Sequence, residues 1–167
     1  ERSFVQVLAD GLSDSWFIFT RQDLWTSHGP CEIDVLVMHE KYGFLAMEVK
    51  GGPVRIEQGE WYRGNEHFKN PPIRQAQDAA YELRDYLRDH SLPLQQVQIP
   101  HALVLPDVLK LEGQLPPSCT PEMLFLNPVF ENIEQLVTNC IIKSARRQYL
   151  SSKKIEEFYR VALPTVN

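Results

Sequence analysis

Two short acidic runs carry the residues whose types and spacing suit chemistry: Glu32-Ile33-Asp34-Val35-Leu36-Val37-Met38 and Phe44-Leu45-Ala46-Met47-Glu48-Val49-Lys50. Both are apolar or β-branched apart from their charges. The five residues His39-Glu40-Lys41-Tyr42-Gly43 join them, so the pattern predicts a hairpin. If Met38 pairs with Phe44, Asp34 falls opposite Glu48. Alternation then sets Glu32, Asp34, Glu48 and Lys50 on one face, and Ile33, Val35, Val37, Leu45, Met47 and Val49 on the other. Like charges directly opposite each other, with Cβ atoms ~5 Å apart, are destabilising. A divalent cation supplies a reason to keep them. Mg²⁺ is bound by one or two carboxylates plus substrate phosphate and keeps several of its waters. It lowers the pKa of a bound water and screens the charge of a phosphodiester. Lys50, on the same face, would orient that water or stabilise transition-state charge. The plainer alternative is a solvent-facing polar side on which Glu32 and Lys50 pair across the strands.

The flanking segments must position these groups. Phe4, Val5, Leu8 and Leu12 form a helical stripe closing near Gly11, and Glu1 projects from its end toward the edge of the core. Its alternative use is as an acid in a first helical turn, where the helix dipole favours negative charge. Trp16–Thr20 reads as a strand and residues 21–31 as a loop. Gly51-Gly52-Pro53 breaks the chain directly after Lys50 and leaves that strand end open. Residues 54–56 and 61–63 suggest a smaller hairpin. A helix is expected from about Ile73 to His90, with Ala76, Ala79, Ala80, Leu83 and Leu87 inward. Gln75, in its first turn, is either a donor to water or phosphate or merely a polar surface residue. Residues 97–105 and 123–126 read as buried strands separated by a Pro-rich loop, and two helices follow, after Asn132 and over Lys153–Leu163. This order predicts an α/β fold, a mixed β-sheet flanked by helices.

Glu32-Ile33-Asp34-Val35-Leu36-Val37 followed by Met47-Glu48-Val49-Lys50-Gly51-Gly52 resembles the nuclease-related domain (NERD) family, a branch of the PD-(D/E)xK nuclease superfamily. The resemblance extends through Trp61 and Asn70-Pro71-Pro72-Ile73-Arg74-Gln75-Ala76 and covers roughly residues 1–105. It implies a restriction-endonuclease-like core and an active site of Glu1, Asp34, Glu48 and Lys50, supported by Gln75. Gln77-Asp78-Ala79-Ala80-Tyr81 fits the Q-x-x-x-Y spacing of related nucleases, so Gln77 competes with Gln75 for the supporting place. On this reading Asp34, Glu48 and the backbone carbonyl of Val49 hold Mg²⁺ or Mn²⁺, and DNA crosses between Lys50 and Gln75 with Arg55 and Arg74 beside it. The expected activity is metal-dependent phosphodiester hydrolysis, on DNA ahead of RNA. The alternative is a catalytically silent module of the same fold that binds nucleic acid or a partner protein. Fusion to a helicase or another module in a longer chain is a further expectation.

With 167 residues, 43% hydrophobic and 23% charged, the chain is long enough for one domain over 1–167 with a substantial core. No apolar run approaches the ~20 residues of a membrane span. Cys31, Cys119 and Cys140 are odd in number and form no CxxC pair, which predicts reduced thiols and an intracellular, cytoplasmic setting. The scattered histidines do not form a ligand cage, and Gly51-Gly52 lacks the Lys-Ser/Thr of a phosphate loop. A net charge of −5 argues against a protein that coats nucleic acid. The balance is uneven: residues 1–40 hold seven acids and two bases, and residues 143–160 six bases and two acids. The basic stretch is either a phosphate-holding face or a solvated helix surface.

Overall fold

The structure is a computed structural model describing residues 2–145 and 147–164. A first helix, α1 (Arg2–Gly11), precedes strand β1 (Trp16–Thr20). Strands β2 (Trp25–Thr26) and β3 (Gly29–Pro30) make a small ribbon within the loop to the hairpin, which consists of β4 (Val35–His39) and β5 (Gly43–Val49). Strands β6 (Val54–Glu57), β7 (Glu60–Arg63) and β8 (Glu66–His67) form a separate three-stranded antiparallel sheet. The long helix α2 (Pro72–His90) follows, then β9 (His101–Leu105), β10 (Leu124–Leu126), α3 (Ile133–Ser144) and α4 (Ser152–Ala162).

The main sheet has five strands in the order β1-β4-β5-β9-β10. Its first two pairings are antiparallel and its last two parallel, the mixed sheet expected of an α/β fold. The hairpin register is the expected one, with Met38 opposite Phe44. Both faces of the sheet are covered. Val35, Val37, Leu45 and Met47 pack with Phe4 and Leu8 of α1 and Val137 and Ile141 of α3. Leu36, Met38, Phe44 and Ala46 pack with Ala80, Leu83 and Leu87 of α2 and Phe158 of α4. A third cluster, around Trp61, Ile73 and Leu105, seats the small sheet against α2 and β9.

Three details depart from the sequence reading. The carboxylate-bearing side of the hairpin is apolar and covered over most of its length, because β4 and β5 are central strands and helices lie on both faces. Ile33 packs with Leu36 and Met38, not with Val35 and Val37, because residues 32–34 precede β4 and do not follow its alternation. The strand expected over 97–105 starts at His101. Upstream of it, the backbone of Gln98 is hydrogen-bonded at N and O by the Gln148 side chain, and the carbonyl of Val97 by Arg88, so these residues have partners outside any ladder.

Helix α4 is capped by Ser151, whose hydroxyl accepts the Lys154 N–H at 3.3 Å. The Glu157 carboxylate accepts hydrogen bonds from Ser91, beyond the end of α2, and from Arg160. Phe158, fully buried, fills the space between Phe19 and Phe44. Phe158→Ala should therefore lower unfolding free energy in urea by ~3–5 kcal/mol. Tyr159→Phe, at a partly exposed neighbour, should stay within ~0.5 kcal/mol of the wild type. Equal losses would mean that α4 is held by its surface and not by this aromatic plug.

Candidate active site

The site lies where the hairpin ladder ends. Thr20 is the last residue of β1 to pair with β4, opposite Val35, and one further bond runs from the Arg21 N–H to the Asp34 carbonyl at 3.1 Å. Beyond that point Asp34 uses its side chain. Oδ2 accepts the Val49 N–H at 2.9 Å, replacing a backbone partner on the departing strand. Oδ1 meets the Arg21 guanidinium at 2.5 Å, and the same Arg21 nitrogen reaches the Glu32 carbonyl at 3.3 Å. The paired ladder stops at Val35 and Met47, so Asp34 does not share the Glu48 face as alternation predicted: it lines the side toward Phe4 and Val5, and its charge reaches Glu48 around the strand end.

Glu48 is 6% exposed. Its only ion-pair partner among the described residues is Lys50, with Nζ 3.3 Å from Oε1. The expected alternative pairing of Lys50 with Glu32 is not formed. Burial raises the Glu48 carboxyl to about 7, the Asp34 charge adds to the rise, and Lys50 and Arg21 oppose it without cancelling it. The turn after Lys50 is anchored as well as open. Lys50 N–H bonds to the Val104 carbonyl, Gly52 N–H donates to the Asp107 carboxylate at 2.7 Å, and Gly52 takes φ +87°, a conformation suited to glycine.

A cleft of about 440 Å³ opens over Glu48 and Lys50. Arg21 and Glu32 form one wall, and Gln75, Asp78 and Glu82 of α2 the other. Gln75 therefore shares the cleft with Glu48, and its Nε2 donates to the Asn70 carbonyl at 2.8 Å. Pro72 at the helix start and Ala76, Ala79 and Ala80 on the inward side let α2 lie close to the sheet. Gln77 is turned away: its amide bonds to the Tyr81 hydroxyl, and the two residues border other clefts. Arg74 lines the cleft that holds Gln77, and Arg55 is engaged by Glu57, the Gly64 carbonyl and the Tyr62 ring on the small sheet. Neither arginine borders the Glu48 cleft.

Glu1 lies outside the described residues, as does Arg146 of the basic C-terminal stretch. A second cleft, of about 430 Å³, lies beside Asp34 and is lined by Phe4 and Val5 of α1, so that helix does approach the site. Arg21 escaped the sequence reading. Its one signal was its sign, as one of two bases among the first forty residues. The three cysteines are free and buried. No helix among the described residues is long and apolar enough to cross a membrane.

No group of three or more His, Cys, Asp or Glu side chains among the described residues forms a ready metal cage. The donor set nevertheless fits a small, hard dication. Two neighbouring carboxylates offer oxygen ligands, and one of them is pressed toward its neutral form by burial and by the charge of the other. Such an ion needs few protein ligands when it keeps its waters.

Comparison with curated proteins and with solved structures found no match. The nuclease-related domain matches residues 1–106, which carry β1, the acidic hairpin, the small sheet, α2 and β9. With Asp34, Glu48 and Lys50 all inside that segment, the chain belongs to the nuclease-related domain (NERD) family.

Proposed function

We propose that this chain is a metal-dependent nuclease that hydrolyses phosphodiester bonds, with DNA as its substrate. The observation that supports the reading best is the closeness of Asp34, Glu48 and Lys50 around one open strand end, with Asp34 on the Val49 N–H and Lys50 on Glu48, in a member of a nuclease-related family. Asp34, Glu48 and the Val49 carbonyl would hold Mg²⁺ or Mn²⁺. When bound, the ion would supply Lewis acidity and an acidified water.

The protein's own groups do the positioning. The Val49 N–H fixes the Asp34 carboxylate, so one of its oxygens is oriented before any ligand arrives. Lys50, half-buried beside Glu48, holds positive charge where the attacked phosphate would gain negative charge. Arg21 stands on Asp34 from the rim, its side chain half exposed. It would swing toward substrate phosphate once the carboxylate is otherwise neutralised. Gln75, in the opposite wall, is placed to hydrogen-bond water or a phosphate oxygen. Glu1 is assigned a supporting role through the family resemblance alone.

The raised pKa of Glu48 fixes a sign. Its folded value, about 7, lies above the ordinary carboxylate value of 4.5. Between these two values the folded state holds more protons than the unfolded one, so stability falls as pH rises through that window. Metal-free protein should thus lose stability from about pH 5 to about pH 8, by on the order of 3 kcal/mol at most. Glu48→Gln should be the more stable protein at the higher pH in EDTA. Millimolar Mg²⁺ or Mn²⁺ should raise the melting temperature of the wild type through selective binding to the native state, and should fail to do so in Asp34→Ala. An equal rise in both proteins would place the ion elsewhere.

Purified protein should nick or degrade DNA when Mn²⁺ or Mg²⁺ is added. Lys50→Ala should keep the metal-induced thermal shift while its cleavage rate drops by ~10²–10³. A wild type inert on single-stranded, duplex and branched DNA and on RNA would make the non-cutting module the better account.

A further inference from the structure

The two flanks of α2 carry opposite charge. The buried stripe of Ala76, Ala80, Leu83 and Leu87 faces the sheet. On one side of it Gln75, Asp78 and Glu82 border the cleft of Glu48, which also holds Glu32, so four carboxylates there outnumber Arg21 and Lys50. On the other side Arg74, Gln77, Tyr81, Arg84 and Arg88 follow one another at helical spacing. They border two clefts of about 300 and 260 Å³ that adjoin at His101, and no acidic residue among the described ones lines either.

We propose that a single strand of the nucleic-acid substrate lies along this basic flank of α2, with its phosphates on Arg74, Arg84 and Arg88 and a base against Tyr81. The substrate class rests on the nuclease reading; the location rests on charge and shape. A polyanion leaving the catalytic cleft along Asp78 and Glu82 would meet like charge. The N-terminal turn of α2 offers the other way out. Asn70 and Gln75 border the catalytic cleft, whereas Pro71 and Arg74 border the basic one, so a strand crossing this turn passes from one to the other. From Arg74 to Arg88 the helix rises by roughly 21 Å, enough for several phosphates.

The side chains suit that use. The Arg84 guanidinium lies 4.2 Å from the centre of the Tyr81 ring, with its Nε on the exposed Asp85 carboxylate at 2.9 Å. An exposed ion pair of this kind contributes little, so a phosphate can take over the guanidinium. Tyr81 is 41% exposed and offers a ring face of the kind that bases stack on. Arg88 gives two N–H groups to the Val97 carbonyl and keeps others of its five for a ligand.

The test measures binding of a short fluorescein-labelled single-stranded DNA by anisotropy over a range of salt, in EDTA so that nothing is cut. The Arg74→Gln/Arg84→Gln double variant should bind more weakly, and its plot of log affinity against log salt should flatten by about 1.4, or ~0.7 per lost single-strand phosphate contact. Lys153→Gln, on the exposed surface of α4, should match the wild type. Arg88 is left intact because it also ties down Val97, and melting curves confirm that the variants fold. An unchanged slope in the double variant, an equal flattening in Lys153→Gln, or no binding by the wild type would overturn the proposal. Binding that behaves as expected in a protein that cuts nothing with Mn²⁺ would overturn the nuclease reading and leave this surface assigned.

Discussion

The hydrogen bond from the Val49 N–H to the Asp34 carboxylate is the constraint on which the site depends. It ends the central ladder with a charged side chain where a backbone carbonyl would ordinarily sit. That substitution holds one carboxylate at the open end of β5, near a second that is almost wholly buried. The first is satisfied by Arg21 and the Val49 N–H, whereas the second lies where a carboxylate is disfavoured. Glu48 is driven toward its neutral form by burial and by its neighbour, and Lys50 and Arg21 relieve this only in part. The rest of the fold supplies the rigidity that keeps such an arrangement from relaxing: central strands, helices over both faces, and a turn after Lys50 tied to Asp107. Strain of this kind is characteristic of sites kept for function at some cost in stability.

Arg21 and Lys50 give the pair of acids a pair of bases, but not symmetrically. Lys50 sits within the strand pattern and is half-buried. Arg21 follows directly on β1 and reaches in from the rim. One charge is set into the site and the other stands half exposed at its edge. The difference follows from where each residue falls relative to the sheet: Lys50 directly follows a central strand, Arg21 follows an edge strand.

Much of this was legible in the sequence, for identifiable reasons. The hairpin register followed from two apolar runs and a turn. The inward stripe of α2 followed from its alanines and leucines, but not which flank lies toward Glu48, so Gln75 and Gln77 competed until the fold set Gln75 in that cleft. The match of the family to residues 1–106 agrees with the extent of the motifs that suggested it. Other features had no local signature. Arg21 reaches Asp34 across a loop whose path only the fold defines. Ile33 lies two residues before β4, outside the alternation that the strand itself follows. The start of β9 was hidden because Gln148, fifty residues away, satisfies the backbone of Gln98. Arg74 is adjacent in sequence to Gln75, yet the helix turns it to a different cleft.

The family segment ends at residue 106, but the layers that bury the sheet do not. Helix α3 covers Val35, Val37, Leu45 and Met47 on one face, and Phe158 of α4 covers Phe44 on the other. A chain cut after β9 would keep every assigned catalytic side chain and lose part of the apolar cover over both faces of the strands that hold them, together with β10 along the edge of the sheet. The segment that the family model recognises is therefore shorter than the set of elements that buries its strands, and α3 and α4 lend that cover without contributing a carboxylate to the site.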